Sequence, residues 1–160
     1  MNPSQKILIT EDETFIADLY AHVLTKAGFQ VKTANDGQTA LTTLSSEQFN
    51  LMLLDIMMPG MNGLEVLRQW KLKNPQSTMI VLLLTNLGQD SVIKEGFELG
   101  AQGYLIKSSM TPEQVVVEVQ NALKAAPPPP SGQSAPPGGT PPPSSPPPTG
   151  TPPPSAPPTV

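Results

Sequence analysis

Apolar and polar residues are arranged along the first 125 positions in blocks that predict five strands. Two of the blocks, Leu51–Asp55 and Thr78–Leu84, are almost continuously apolar, a pattern typical of strands buried on both faces. Three shorter blocks predict further strands at Lys6–Thr10, Phe29–Ala34 and Gly103–Ile106. The second of these alternates with polar residues, which indicates a strand near an edge of the sheet.

Between the strands, apolar residues recur every three or four positions, which predicts helices. The first starts at Thr14 and stops at Gly28, and its apolar positions are Phe15, Ile16, Leu19, Tyr20, Val23, Leu24 and Ala27. The other helices are predicted after the Asn35-Asp36-Gly37 turn, over Gly63–Asn74 with Trp70 and Leu72 among its apolar residues, over Gln89–Leu99, and from the cap residue Thr111. Gly96 weakens the fourth helix, at a cost of roughly 1 kcal/mol relative to Ala.

Five strand-helix units in alternation predict an α/β protein. Because crossover connections between parallel strands are right-handed, the expected fold is (βα)5, a doubly wound five-stranded parallel sheet with helices on both faces.

The composition changes abruptly near the end of the last helix. Of the 21 prolines, 17 follow Lys124, whereas every charged side chain precedes Ala125. We therefore predict a globular domain over residues 1–126 and a disordered segment rich in Pro, Ser, Thr and Gly over residues 127–160.

The charge and the residue types exclude several functions. A net charge of −4 gives no electrostatic basis for binding nucleic acid, and the absence of cysteine excludes disulfides and thiolate metal sites. One histidine makes a zinc site built on histidine improbable. No apolar run has the length of a signal peptide or a membrane span, so we expect a cytoplasmic protein without membrane contact.

Polar residues stand where four predicted strands end. Glu11 and Asp12 follow the first strand, Asp55 ends the third, Thr85 follows the fourth and Lys107 follows the fifth. The carboxyl ends of parallel strands share one edge of the sheet, where open α/β folds bind ligands. The sequence therefore predicts one acidic pocket that contains a lysine and a hydroxyl.

This pocket has the chemistry of a phosphoryl site. Neighbouring carboxylates repel one another unless a cation lies among them, and oxygen ligands without His or Cys suit Mg²⁺. Together, a lysine, a hydroxyl and a metal ion neutralise phosphoryl oxygens. Since a carboxylate can itself be the nucleophile, Asp55 is the candidate for an aspartyl-phosphate.

The same residues resemble the receiver domain of CheY-like response regulators. The resemblance covers residues 5–125, with Glu11-Asp12, Asp55 followed by Met58-Pro59-Gly60 and Gly63, Thr85, and Tyr104 three residues before Lys107. It implies the flavodoxin-like strand order 2-1-3-4-5.

The resemblance also implies a role for each matching residue. Asp55 accepts phosphate from a histidine kinase or phosphotransfer protein, and Mg²⁺ is bound by Asp12, Asp55, the backbone carbonyl of Met57 and, mainly through water, Glu11. Lys107, Thr85 and the backbone N–H of Asn86 contact the phosphoryl group, and Tyr104 moves inward when Thr85 is drawn to it.

The implied output is contact with a downstream protein through the fourth helix, the fifth strand and the fifth helix. Such a protein is not an enzyme, except for its own phosphotransfer and dephosphorylation. A dimer formed on phosphorylation is left open by the sequence.

Two departures from the family pattern affect these expectations. Ser108 replaces the proline that usually follows the lysine, which puts in question the shape of that loop, since a cis peptide without proline costs about 2.5–4 kcal/mol. Met57 and Leu87 are apolar at positions that influence water access to the phosphoryl group, so we hypothesise slow self-dephosphorylation.

Alternatives come from other classes of protein. One is a scaffold that uses this face without phosphate chemistry, although the intact set of Asp12, Asp55, Thr85 and Lys107 argues against it. Another is a Mg²⁺-dependent phosphohydrolase, which needs an acid/base residue and a cap that the short loop after Asp55 does not offer. Residues 127–160 are either a passive linker or a ligand for a proline-binding partner.

Overall fold

The computed structural model describes residues 4–86 and 89–125. These residues form five strands and five helices in strict alternation, which confirms the predicted α/β class. The strands are β1 (Lys6–Thr10), β2 (Gln30–Ala34), β3 (Leu51–Asp55), β4 (Ile80–Thr85) and β5 (Gly103–Ile106); the helices are α1 (Thr14–Lys26), α2 (Gly37–Ser46), α3 (Gly63–Lys73), α4 (Asp90–Glu98) and α5 (Pro112–Lys124). The predicted boundary at residue 126 and the segment 127–160 lie outside the described residues.

The five strands form one parallel sheet in the order β2-β1-β3-β4-β5, as the resemblance implied. β3 lies at the centre, where Leu51 is opposite Ile7 of β1 and Ile80 of β4. Toward the carboxyl edge, Asp55 is opposite Leu84, and Thr85 is opposite Ile106. This register brings the ends of β1, β3, β4 and β5 to one edge.

The sheet separates two apolar layers because successive side chains of a strand point to opposite faces. Leu8, Met52 and Leu54 pack on one face with residues from α2 and α3 and with Val92 of α4, whereas Ile7 and Ile9 pack on the other face with residues from α1 and α5. All residues of β3 and β4 are buried, as their apolar runs predicted.

Side-chain caps define where three of the helices begin. Asp36 accepts a hydrogen bond from the Thr39 N–H at 2.7 Å and begins α2, and Asn62 accepts from the Glu65 N–H at 2.9 Å and begins α3. Thr111 forms a capping box with Gln114 at the start of α5, as predicted. Such caps each contribute about 1 kcal/mol.

Some details differ from the prediction. Phe29 precedes β2, and β4 is shifted to Ile80–Thr85. Phe15 and Leu72 were predicted on the apolar faces of their helices but are 80% and 77% exposed, because only one face of each helix meets the sheet. Among the described residues, no helix has the length and apolar character needed to span a bilayer.

Gly96 has a structural role that the sequence did not reveal. It is the buried residue of α4, and a Cβ at this position would lie 2.2 Å from Leu83 Cδ1 of β4. A glycine therefore lets α4 approach the sheet closely, and this close contact explains why the helix retains a residue that weakens it.

Candidate functional site

The candidate site lies at the carboxyl edge of the sheet, where main-chain hydrogen bonds extend the strands by one residue. The Glu11 N–H donates to the Ala34 carbonyl, and the Ile56 N–H donates to the Leu84 carbonyl, both at 3.0 Å. These bonds continue the pairing of β1 with β2 and of β3 with β4. Glu11 and Asp55 are thereby held by the sheet and not by a free loop.

Three predicted carboxylates lie together at this edge. One carboxylate oxygen from each of Glu11, Asp12 and Asp55 lies within 4.8 Å of the other two. Glu11 and Asp55 are buried, at 0% and 1% exposure, whereas Asp12 is half-buried. The cluster is therefore reached from solvent on the side of Asp12.

Lys107 connects the two buried carboxylates. Its Nζ lies 3.1 Å from Glu11 Oε2 and 3.1 Å from Asp55 Oδ2, and its side chain is only 9% exposed. The other oxygen of Asp55, Oδ1, accepts a hydrogen bond from the Met57 N–H at 3.0 Å. Both oxygens of Asp55 are thus positioned by donors from the protein.

Burial and mutual proximity shift the ionisation of these groups. Burial, together with the neighbouring Asp55 carboxyl, raises the pKa of Glu11 to about 7. Burial also raises the pKa of Asp55. For Lys107, burial acts to lower the pKa, but the Asp55 and Glu11 carboxylates outweigh it and the pKa is raised. The lysine is therefore a permanent cation of the site.

The donor set fits a divalent cation. Three carboxylates against one ammonium leave an excess of negative charge, and the cluster of Glu11, Asp12 and Asp55 contains only oxygen ligands. Hard oxygen ligands, with one side open to water, suit Mg²⁺, which retains several waters when bound to proteins. These residues could hold such an ion.

Thr85 is the buried hydroxyl of the site. Its side chain is 0% exposed, and its Oγ1 lies 2.5 Å from Gln89 Oε1 and 3.1 Å from the Asn86 carbonyl oxygen. Because a hydroxyl has one proton to donate, these two acceptors compete for it. Asn86 itself is exposed, at the end of β4.

Tyr104 lies at the surface, on the edge strand β5. Its side chain is 44% exposed and meets Phe97 of α4 edge to face, with ring centroids 6.2 Å apart. It is opposite Leu83, two residues before Thr85 on the neighbouring strand. The structure therefore places the predicted switch residue in an outward position.

The loop after Lys107 forms without a cis peptide bond between Lys107 and Ser108. Lys107–Ser109 form a short 3-10 turn, and the peptide between Lys107 and Ser108 is trans. Met57 is 59% exposed beside Asp55. Leu87, the other residue of the slow-dephosphorylation hypothesis, lies outside the described residues.

Two neighbours of the site make contacts that were not predicted from the sequence. A Cβ on Gly63 would lie 2.2 Å from the Asp55 carbonyl oxygen, so this glycine lets the start of α3 approach the backbone of Asp55. Gln89 accepts the hydrogen bond from Thr85. In the sequence, Gly63 was part of the family resemblance and the start of the third helix, but its contact with the Asp55 backbone was not predicted. Gln89 was noted only as the start of the fourth helix.

Comparison with known proteins finds response regulators, in agreement with the resemblance noted in the sequence. The family model for the response regulator receiver domain matches residues 7–120. The alkaline phosphatase synthesis transcriptional regulatory protein PhoP of Bacillus subtilis is 36% identical over 124 residues, which are 76% of this chain and 49% of that protein. The chain spans about half the length of the curated relatives it matches.

Solved structures share the fold. The chemotaxis protein CheY4 of Vibrio cholerae has a TM-score of 0.69 and 29% identity, over 74% of this chain and 98% of that one. A CheY-like response regulator receiver domain protein from Methanospirillum hungatei has a TM-score of 0.71 and 27% identity, over 78% of this chain and 97% of that one.

Proposed function

Because the chain belongs to the response regulator receiver domain family of two-component signalling, we propose that it accepts a phosphoryl group on Asp55. The observation that carries this proposal is the environment of Asp55. Its carboxylate is 1% exposed, 3.1 Å from the Lys107 ammonium and within reach of two further carboxylates. A buried carboxylate beside a permanent cation suits chemistry that adds negative charge.

In the proposed reaction, one carboxylate oxygen of Asp55 attacks the phosphorus of the donor. A phosphorus–oxygen bond forms as the bond from phosphorus to the donor nitrogen of a phosphohistidine breaks, and the electron pair leaves with the imidazole. Lys107 neutralises a phosphoryl oxygen, while the Thr85 hydroxyl and the Asn86 N–H donate to the others. The Met57 N–H keeps Asp55 oriented from its other oxygen.

The proposed cofactor is Mg²⁺, held by Asp12 and Asp55, by the Met57 carbonyl and, mainly through water, by Glu11. When bound, it offsets the charge of the phosphoryl oxygens. In its absence, Lys107 and the raised pKa of Glu11 limit the repulsion within the pocket. The same residues therefore serve both the free and the metal-bound protein.

We propose that phosphate arrives from a histidine kinase or phosphotransfer protein in the cytoplasm, and that output is contact with a downstream protein. The surface formed by α4, β5 and α5 supports this, because Phe97 and Tyr104 are both partly exposed there. Movement of Tyr104 inward, as Thr85 is drawn to the phosphoryl group, would reshape that surface. We propose no catalytic activity beyond the protein's own phosphotransfer and dephosphorylation.

One experiment tests the phosphoacceptor. The protein is incubated with acetyl phosphate and Mg²⁺, and its intact mass is compared with the masses of Asp55→Asn and of Asp18→Asn, an exposed aspartate on α1. We expect a lasting phosphoryl adduct on the wild type and on Asp18→Asn, and none on Asp55→Asn. An adduct that persists in Asp55→Asn contradicts the assignment.

Two other outcomes would favour the alternative functions. If the wild type gains no adduct in the presence of Mg²⁺, the result would point to a scaffold without phosphate chemistry. Protein treated with a chelator is the control for metal dependence. Rapid multiple turnover of an added phosphomonoester would point to a phosphohydrolase.

A further inference from the structure

We propose that Gln89 is a positioning residue that holds Thr85 in the resting state and links that hydroxyl to the start of α4. This inference rests on the proposed function, in which Thr85 donates to the phosphoryl group. Its starting point is the contact of 2.5 Å between Thr85 Oγ1 and Gln89 Oε1. This distance is at the short end for a hydrogen bond between a hydroxyl and a carbonyl oxygen.

The position of Gln89 explains why this bond reaches α4. Gln89 is the residue directly before α4, in the place where Asp36, Asn62 and Thr111 cap their helices. The Gln89 side chain makes no capping bond to its own helix. Its amide oxygen is instead committed to Thr85, so the end of β4 and the start of α4 are joined through a side chain.

The Thr85 hydroxyl cannot serve two acceptors at once. It is 0% exposed and has one proton, and in the resting protein its nearest acceptor is Gln89. Thr85 follows Leu84, which is opposite Asp55 in the sheet, so a phosphoryl group on Asp55 forms within one residue of it. Donation to that group requires the bond to Gln89 to break.

This exchange of acceptors sets a free-energy cost for leaving the resting conformation and connects the phosphorylation site to α4. The bond to Gln89 favours the resting conformation, and its loss on phosphorylation frees the first turn of α4 from β4. A net gain of one hydrogen bond changes an equilibrium by roughly three- to tenfold. Removing the acceptor is therefore expected to favour the phosphoryl-bound conformation by that factor.

The test measures binding of beryllofluoride, a stable mimic of a phosphoryl group, to the full chain with Mg²⁺ by calorimetry. We expect Gln89→Leu, which replaces the amide by apolar methyl groups and so lacks the acceptor, to lower the dissociation constant about three- to tenfold. Gln89→Glu keeps an acceptor and should not lower it. Gln38→Leu, an exposed glutamine in the first turn of α2, is the matched control and should leave it unchanged.

A second measurement separates this role from a general effect on stability. Amide hydrogen exchange over residues 90–93 should rise on phosphorylation of the wild type, and Gln89→Leu should show the higher exchange before phosphorylation. In a Thr85→Ala background, Gln89→Leu should have no further effect on either readout, because the bond is already absent.

The outcomes also separate this inference from the phosphoacceptor itself. If acetyl phosphate modifies Asp55 but Gln89→Leu changes neither binding nor exchange, Gln89 has no positioning role and the phosphoacceptor stands. An equal effect of Gln89→Leu and Gln89→Glu, or an effect that persists without the Thr85 hydroxyl, also overturns the inference. Failure of the wild type to gain a phosphoryl group on Asp55 overturns the proposed function.

Discussion

Replacement of Lys107 by methionine tests the electrostatic arrangement of the site without any phosphoryl donor. Lys107 Nζ lies 3.1 Å from both Glu11 and Asp55, and its side chain is 9% exposed. Methionine fills a similar volume but leaves the two buried carboxylates without their cation. Loss of one partner of a buried ion pair costs about 3–5 kcal/mol. Since the cluster is accessible to water on the side of Asp12, we expect the free energy of unfolding to fall by an amount near the lower limit, about 3 kcal/mol at pH 8.5.

The pKa of Glu11 determines how this loss depends on pH. In the folded protein burial and Asp55 raise that pKa from 4.5 to about 7, so the folded state binds a proton that the unfolded state releases. The resulting stabilisation is complete below pH 4.5 and is lost as the pH rises through 7. Without Lys107 the pKa rises further, and at pH 5.5 a neutral Glu11 should reduce the loss to about 1 kcal/mol.

Urea unfolding at pH 5.5 and 8.5, at fixed ionic strength and without Mg²⁺, measures both losses. Lys71→Met is the matched control, because Lys71 is itself partly buried, its pKa is lowered by burial, and it forms no ion pair among the described residues. Its replacement should cost little at either pH. A loss for Lys107→Met below 1 kcal/mol at pH 8.5, or an equal loss at both pH values, would refute the reasoning.

Three further predictions concern the surroundings of the site. Phe15 is a large apolar side chain that is 80% exposed three residues after Asp12, and we propose that it contacts the protein that donates the phosphoryl group. Phe15→Ser should therefore slow phosphotransfer from the cognate histidine kinase but not from acetyl phosphate; equal slowing of both, with stability unchanged, would contradict this contact. The pair Met57→Asn and Leu87→Glu should speed loss of the phosphoryl adduct as followed by intact mass, and an unchanged decay would count against control by these positions. Gly96→Ala should destabilise the fold by about 1–3 kcal/mol in urea unfolding despite alanine's better helix propensity, because its Cβ would lie 2.2 Å from Leu83 Cδ1; a gain in stability would show that α4 adjusts freely.

The order and type of the elements could be predicted because they depend on local patterns. The apolar run that ends at Asp55 indicates a buried strand, and the Thr111 capping box marks the start of the last helix. The strand order could not be predicted in this way, because the pairing of parallel strands leaves no local signal in the sequence. It was predicted only from the family resemblance. Phe15 was misjudged because helical spacing shows which residues share a face but does not fix how much of that face the sheet covers.

The partners within the site could be predicted only in part. Strand ends in a parallel sheet share an edge, and this rule alone brings Glu11, Asp55 and Lys107 together. It does not say that Lys107 bridges the two buried carboxylates, because that geometry depends on side-chain reach across the sheet. For Gln89, the bond depends on the reach of its side chain from the start of α4 to Thr85, which residue type and spacing do not show.

These resting contacts change how the proposed switch must work. Lys107 and Thr85, the two side chains that would contact a phosphoryl group, already have protein partners in the resting state. Phosphorylation then exchanges one set of partners for another and does not simply fill unused donors. The net free energy is the small difference between two sets of contacts, whereas either set alone would be large. A small difference keeps both conformations accessible, so that one phosphoryl group, or the loss of one hydrogen bond to Gln89, can shift the population between them.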